Sequence, residues 1–151
     1  GGTAFSRGEG LCIDGDVLWF TCTEGGDAGR GQIFALNVRE QVLTLVYEAS
    51  ARAELDMPDN LVVSPQGALL VCEDNDQGRP QRLVGMDREG RTFLFCENNV
   101  DLRQSGIPGV PRADFRWEEW AGVCFSPDGR WLFANVYAPG FTVAITGPWA
   151  D

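Results

Sequence analysis

Histidine is missing from all 151 residues of the chain. A Ser-His-Asp or Cys-His nucleophilic constellation is therefore excluded, and the imidazole ligation that zinc commonly takes has no source. Cysteine is scarce and odd in number: Cys12, Cys22, Cys72, Cys96 and Cys124, with no pair in CxxC spacing. That argues against a zinc ribbon and against a complete internal disulfide framework, and most of the five are expected as small buried apolar side chains. Apolar runs fall far short of the roughly 20 residues that cross a bilayer, so no membrane insertion is expected. The first residues lack the charged, hydrophobic, small-residue order of a leader. An export signal is expected upstream of Gly1 if the parent protein is exported. Positive charge is also short, with 12 basic against 22 acidic residues and a net charge of −10. Such a surface repels phosphate backbones and anionic headgroups and excludes nucleic acid as a partner.

What is present is a core. Hydrophobic residues make up 44% of the chain, five Trp and nine Phe among them, enough burial for one ordered domain. No stretch longer than about ten residues carries a 3.6-residue period, so the fold class is all-β. One pattern recurs: an apolar strand, a Gly-bearing polar turn, and a second apolar strand. It appears at Gly10–Phe20, Asn60–Cys72 and Gly122–Ala134, roughly 50 to 60 residues apart. Ser64-Pro65-Gln66-Gly67 and Ser126-Pro127-Asp128-Gly129 are one turn used twice, with Pro setting φ and Gly taking the left-handed position. Further strands are expected at Gly31–Leu36, Val42–Val46, Arg82–Met86 and Thr92–Phe95. Four strands per repeat and this period describe a β-propeller, with about three four-stranded blades in residues 1–151. A sandwich has no reason to repeat the Ser-Pro-x-Gly hairpin. Since propellers close with about four to eight blades, the remaining blades are expected from the parent chain or from another chain. Glu97–Glu118, with Gly106, Pro108, Gly109 and Pro111, reads as a long loop.

In a propeller the first strand of each blade lines the channel, so residues just ahead of it converge at one mouth. Glu9 precedes Gly10, Asp59 precedes Asn60, and Glu119 stands shortly before Gly122. Three carboxylates converging on an axis repel one another unless a cation or a proton neutralises them. Calcium, magnesium or iron(III) suits an all-oxygen set. Single members of the set can equally serve as turn formers or exposed edge charges. Glu73 and Asp74 are further ligand candidates, although Glu73–Gly78 is no EF-hand, since its glycine comes one place early and no glutamate closes it. Arg7, two residues before Glu9, falls on the same side of an extended segment, where its forked donors match a phosphate. The Gly25–Gly31 loop lacks the Lys-Ser/Thr ending of a phosphate loop and reads as a blade connection. Asp14-Gly15-Asp16 reads as a hairpin turn.

Taken together, Phe5–Gly10, Gly31–Phe34, Pro58–Leu61 with Ser64-Pro65, Val71–Asp74, Ala121–Gly129 and Ala144–Trp149 resemble, in order and from end to end, the C-terminal half of PhoX-type alkaline phosphatases. The resemblance implies a six-bladed propeller of which this chain is the C-terminal part, with the N-terminal blades and their further ligands, a cysteine among them, lying elsewhere. It implies an exported bacterial phosphomonoesterase, periplasmic or extracellular, holding calcium and iron at its mouth and acting on a phosphate ester. Arg7 would then contact substrate phosphate and Glu9 a metal, with Asp59, Asn60, Glu73, Asp74 and Glu119 as further metal-site residues. Metal-assisted phosphoester hydrolysis is the function this implies. The alternatives are a non-catalytic propeller subunit of a larger assembly and a calcium-dependent lactonase on a similar propeller.

Overall fold

Each Gly-bearing turn makes neighbouring antiparallel strands of the apolar segments that flank it. In the computed structural model, which describes residues 2–50, 55–76 and 78–147, these hairpins extend into three meandering sheets, and no helix occurs among the described residues. The first contains β1 (Gly8–Asp14), β2 (Val17–Cys22), β3 (Gln32–Asn37) and β4 (Val42–Glu48), in that order. The second contains β5 (Pro58–Val63), β6 (Leu69–Glu73), β7 (Arg82–Met86) and β8 (Thr92–Glu97), again in chain order. In the third, β9 (Trp120–Phe125), β10 (Leu132–Val136) and β11 (Phe141–Ile145) make three strands among the described residues. The expected four strands are thus met in the first two sheets. β11 carries only the front of the Ala144–Trp149 motif, since Pro148 and Trp149 lie outside the described residues, as does Gln77 of the Glu73–Gly78 segment.

The two Ser-Pro-x-Gly turns have the geometry their composition demands. The amides of Gly67 and Gly129 donate to the carbonyls of Ser64 and Ser126, each at 2.8 Å. Both glycines stand at positive φ, 86° and 70°, where a side chain would be strained.

Strand alternation sends successive side chains of the middle sheet to opposite neighbours. Leu61, Leu69, Val71, Val84 and Met86 pack against Trp19 and Ile33 of the first sheet. Leu70, Cys72 and Leu83 pack against Trp120, Val123, Leu132 and Ala134 of the third. Each such side chain contributes about 1.5–3 kcal/mol by leaving water, so two apolar layers hold three sheets in a row. All five cysteines are free thiols; Cys22 and Cys72 are buried, while Cys124 is exposed.

One apolar face has no neighbour among the described residues. Leu11 and Ile13 stand where Leu61 and Val63 stand in the second sheet, because Leu11 pairs with Phe20 as Leu61 pairs with Val71. Leu61 is 3% exposed, whereas Leu11 and Ile13 are 62% and 63% exposed. On the same sheet Phe5, Phe20 and Phe34 form a cluster, with Phe20 stacked on Phe34 at 5.1 Å between centroids.

Candidate functional site

The entry to the first strand of each sheet is built alike. The carbonyls of Arg7, Met57 and Glu119 accept the amides of Thr23, Asp74 and Tyr137 at 2.9, 3.0 and 3.0 Å. Arg7 and Met57 both hold φ of 50°, a left-handed kink that non-glycine residues seldom adopt and that persists where surrounding bonds enforce it. A β-bulge follows in each of the first two sheets. Glu9 and Gly10 together oppose Thr21, and Asp59 and Asn60 together oppose Cys72. Bulges re-aim side chains, and here they turn Glu9 and Asp59 out of the regular pleat.

This correspondence corrects the place expected for Glu119 in the repeat. Glu119 is the counterpart of Arg7 and Met57, while Ala121 occupies the place of Glu9 and Asp59. In the third sheet the bulge also comes one residue later, at Gly122 and Val123 opposite Ala134. Proximity in sequence to Gly122 could not reveal that offset, since only the backbone bond from Tyr137 defines it.

The carboxylates converge nonetheless. Arg7 donates from Nε to Glu9 Oε1 at 3.2 Å and from Nη2 to Asp74 Oδ2 at 3.2 Å, and its Nη1 lies 3.5 Å from Glu24 Oε1. Burial pushes the Asp59 carboxyl up to about 6, helped by repulsion from Glu9 and Asp74 and opposed by Arg7. Burial raises Glu119 as well, together with the charges of Asp74 and Asp59 and a hydrogen bond with Asp74. Burial would lower the Arg7 guanidinium, but Asp74 and Glu9 outweigh it and hold the group above its ordinary value. Four of the expected ligands, Glu9, Asp59, Asp74 and Glu119, therefore share one electrostatic cluster with Arg7 in its midst.

Two expected ligands have other partners. Asn60 Oδ1 accepts the amide of Val123 at 3.0 Å, which ties the second sheet to the third. Glu73 is wholly buried and held by Arg79 Nη2 at 2.9 Å and by Arg82 at 2.8 and 2.6 Å. It also accepts the amide of Asp56 at 2.9 Å and the side-chain amide of Asn75 at 3.2 Å. Asp56, equally buried, pairs with Arg30. Glu73 and Asp74 are adjacent yet face opposite ways, one into this arginine cage and one to Arg7. Glu24 was not anticipated. Its signal is positional: it follows Thr23, the counterpart of Asp74.

The donor set is all oxygen, which fits a hard cation such as calcium or iron(III) and not a soft one. Among the described residues, however, no three acidic or cysteine side chains are gathered closely enough to hold a metal ion; the carboxylates are linked pairwise, chiefly through Arg7. A cleft of about 440 Å³ lies at the opposite ends of β1, β5 and β9, lined by Cys12, Val63, Pro65, Phe125 and Pro127 among others. At the carboxylate end the Arg7 and Glu9 side chains are both 38% exposed.

A family model described as "Alkaline phosphatase PhoX" matches residues 1–140. No curated protein matches the chain at a significant level.

Proposed function

Because the chain belongs to the PhoX family of alkaline phosphatases, we propose that its carboxylate cluster is one side of a metal-dependent phosphomonoesterase site. The observation that carries this reading is the convergence of Glu9, Asp59, Asp74 and Glu119, drawn from all three sheets, around a single arginine.

On this reading those four residues hold the calcium and iron that the family resemblance implies. A cation so held supplies Lewis-acid neutralisation of phosphoryl oxygens. The protein's own part is electrostatic and positional. Arg7 offers forked donors to the phosphate oxygens and balances charge that develops on them. The kink at Arg7 and the bulge at Glu9 and Gly10 set the angle between that guanidinium and the first carboxylate. Above pH 6 Asp59 is ionised, so alkaline conditions favour the fully charged set that binds cations best. Asn60 and Glu73, engaged elsewhere, hold the strands that present Asp59 and Asp74.

The bare face of the first sheet supports a propeller completed by further blades, in the same protein or in another chain. Its Leu11 and Ile13 repeat the positions by which the second sheet buries itself on the first. The exposure of Arg7 and Glu9 also agrees with a site whose other walls lie on those blades. A location outside the cytoplasm, in the periplasm or medium, is part of the same proposal and rests on the family resemblance alone; fractionation of producing cells with a cytoplasmic marker tests this, and co-fractionation with that marker would count against it.

The function is tested on the full-length protein with a chromogenic phosphomonoester, after chelation and after return of calcium and iron(III). Hydrolysis that disappears with chelator, returns with metal, and drops in Glu9→Gln and Arg7→Met is expected. Inactivity whatever the metal content would defeat the proposal.

A further inference from the structure

Arg7 sits where a bound cation would compete with it. Its guanidinium touches Glu9, Asp74 and Glu24, each from a different nitrogen. The same Glu9 and Asp74 both repel Asp59, and Asp74 also acts on Glu119. Yet the side chain is 38% exposed, and its ion pairs are of the exposed kind that individually contribute little. The backbone at Arg7 is the opposite, fixed in its left-handed kink by the Thr23 amide at 2.9 Å. The stem is clamped and the head is loosely held. An arginine so mounted can swing without disturbing β1.

We propose that Arg7 is the internal counter-cation of the carboxylate cluster, displaced from Glu9 and Asp74 when a divalent cation binds and thereby released to a phosphate group. The inference rests on the metal-site reading above and adds an ordering to it: cation first, phosphate second. It also accounts for the pairwise linkage of the carboxylates, because a guanidinium between Glu9 and Asp74 keeps them apart. Arginine is suited to both employments, since its fork matches carboxylate and phosphate alike.

The experiment is arginine modification of the full-length protein by phenylglyoxal, with and without calcium, followed by mass spectrometry of the peptide that contains Arg7. Calorimetric titration with calcium runs alongside. Arg91, paired with Asp87 in the turn between β7 and β8, is the internal standard. Calcium is expected to speed labelling of Arg7 by about 3- to 10-fold, the range open to a few weak exposed pairs, and to leave Arg91 unchanged. Calcium binding with unchanged or slower labelling of Arg7 overturns this inference alone. No calcium uptake in the titration overturns the metal-site reading and this one with it.

Discussion

The Thr21 hydroxyl donates to the carbonyl oxygen of Asp59 at 2.8 Å, and its own oxygen, Oγ1, accepts the amide of Gly10, also at 2.8 Å. One side chain of the first sheet thus closes its own bulge and grips the second sheet at the residue that presents a carboxyl to the cluster. Thr21→Val keeps the shape and removes both bonds. An amide and a carbonyl would be left without partners at a cost of about 1–3 kcal/mol. Denaturant unfolding should show that loss, and calcium titration should show weaker binding, because Asp59 loses its anchor.

Gly10 is required by proximity and not by its φ. A Cβ built there would lie 2.4 Å from the Asp59 carbonyl oxygen and 2.9 Å from the Asn60 Cα. Both are backbone atoms, so the strands themselves must separate. Gly10→Ala is expected to destabilise by about 1–3 kcal/mol, read as a lower melting temperature. Gly15→Ala is the contrast: nothing lies within 4 Å of its Cβ position, so its effect is confined to strain at a φ of 58°.

Asp59 gives the cation-free protein an unusual pH dependence. Its carboxyl is raised from 3.8 to about 6, so the native state takes up this proton more readily than the unfolded chain does. Between those values stability falls as pH rises, the reverse of an ion-paired aspartate. The stability difference between wild type and Asp59→Asn should therefore be small near pH 4. Above pH 6 it should favour the variant, by at most about 3 kcal/mol. Chemical denaturation across pH 4 to 7 in the presence of chelator measures it; a flat difference would contradict the assigned burial and repulsion.

Glu73 and Glu119 should behave as opposites. Glu73→Gln leaves Arg79 and Arg82 facing a neutral group in a buried place, and loss of one partner there costs about 3–5 kcal/mol. Glu119→Gln removes a carboxylate that burial and its neighbours already disfavour, so stability should hold or rise while calcium affinity falls. Paired melting curves and calcium titrations separate the two roles, and a stable Glu73→Gln that no longer binds calcium would return Glu73 to the ligand set.

Much of this arrangement was readable in advance because it is local. Ser64-Pro65-Gln66-Gly67 specifies a turn through Pro and Gly whatever surrounds it, and Arg82–Met86 is the strand that its apolar run announces. The position of Glu9 beside Arg7, and of Asp59 at the head of β5, likewise follows from the repeat. The β11 strand was not foreseen, and Glu73 could not be told from Asp74. They are consecutive residues of the same charge type, and what distinguishes them is Arg79 and Arg82, which reach Glu73 only after the β6–β7 connection folds back.

By itself the sequence determined the class of structure and the chemistry on offer: strands paired through short turns, no imidazole, carboxylates near strand entries, and one arginine two residues from Glu9. Those properties depend on neighbours along the chain. Only the tertiary structure decided which carboxylates meet, that Glu119 answers to Arg7 and not to Glu9, and that Asn60 accepts the Val123 amide while Glu73 lies between Arg79 and Arg82. Such assignments depend on bulges, interstrand bonds and burial, which come into being only when separate sheets pack and bring residues distant in sequence within reach.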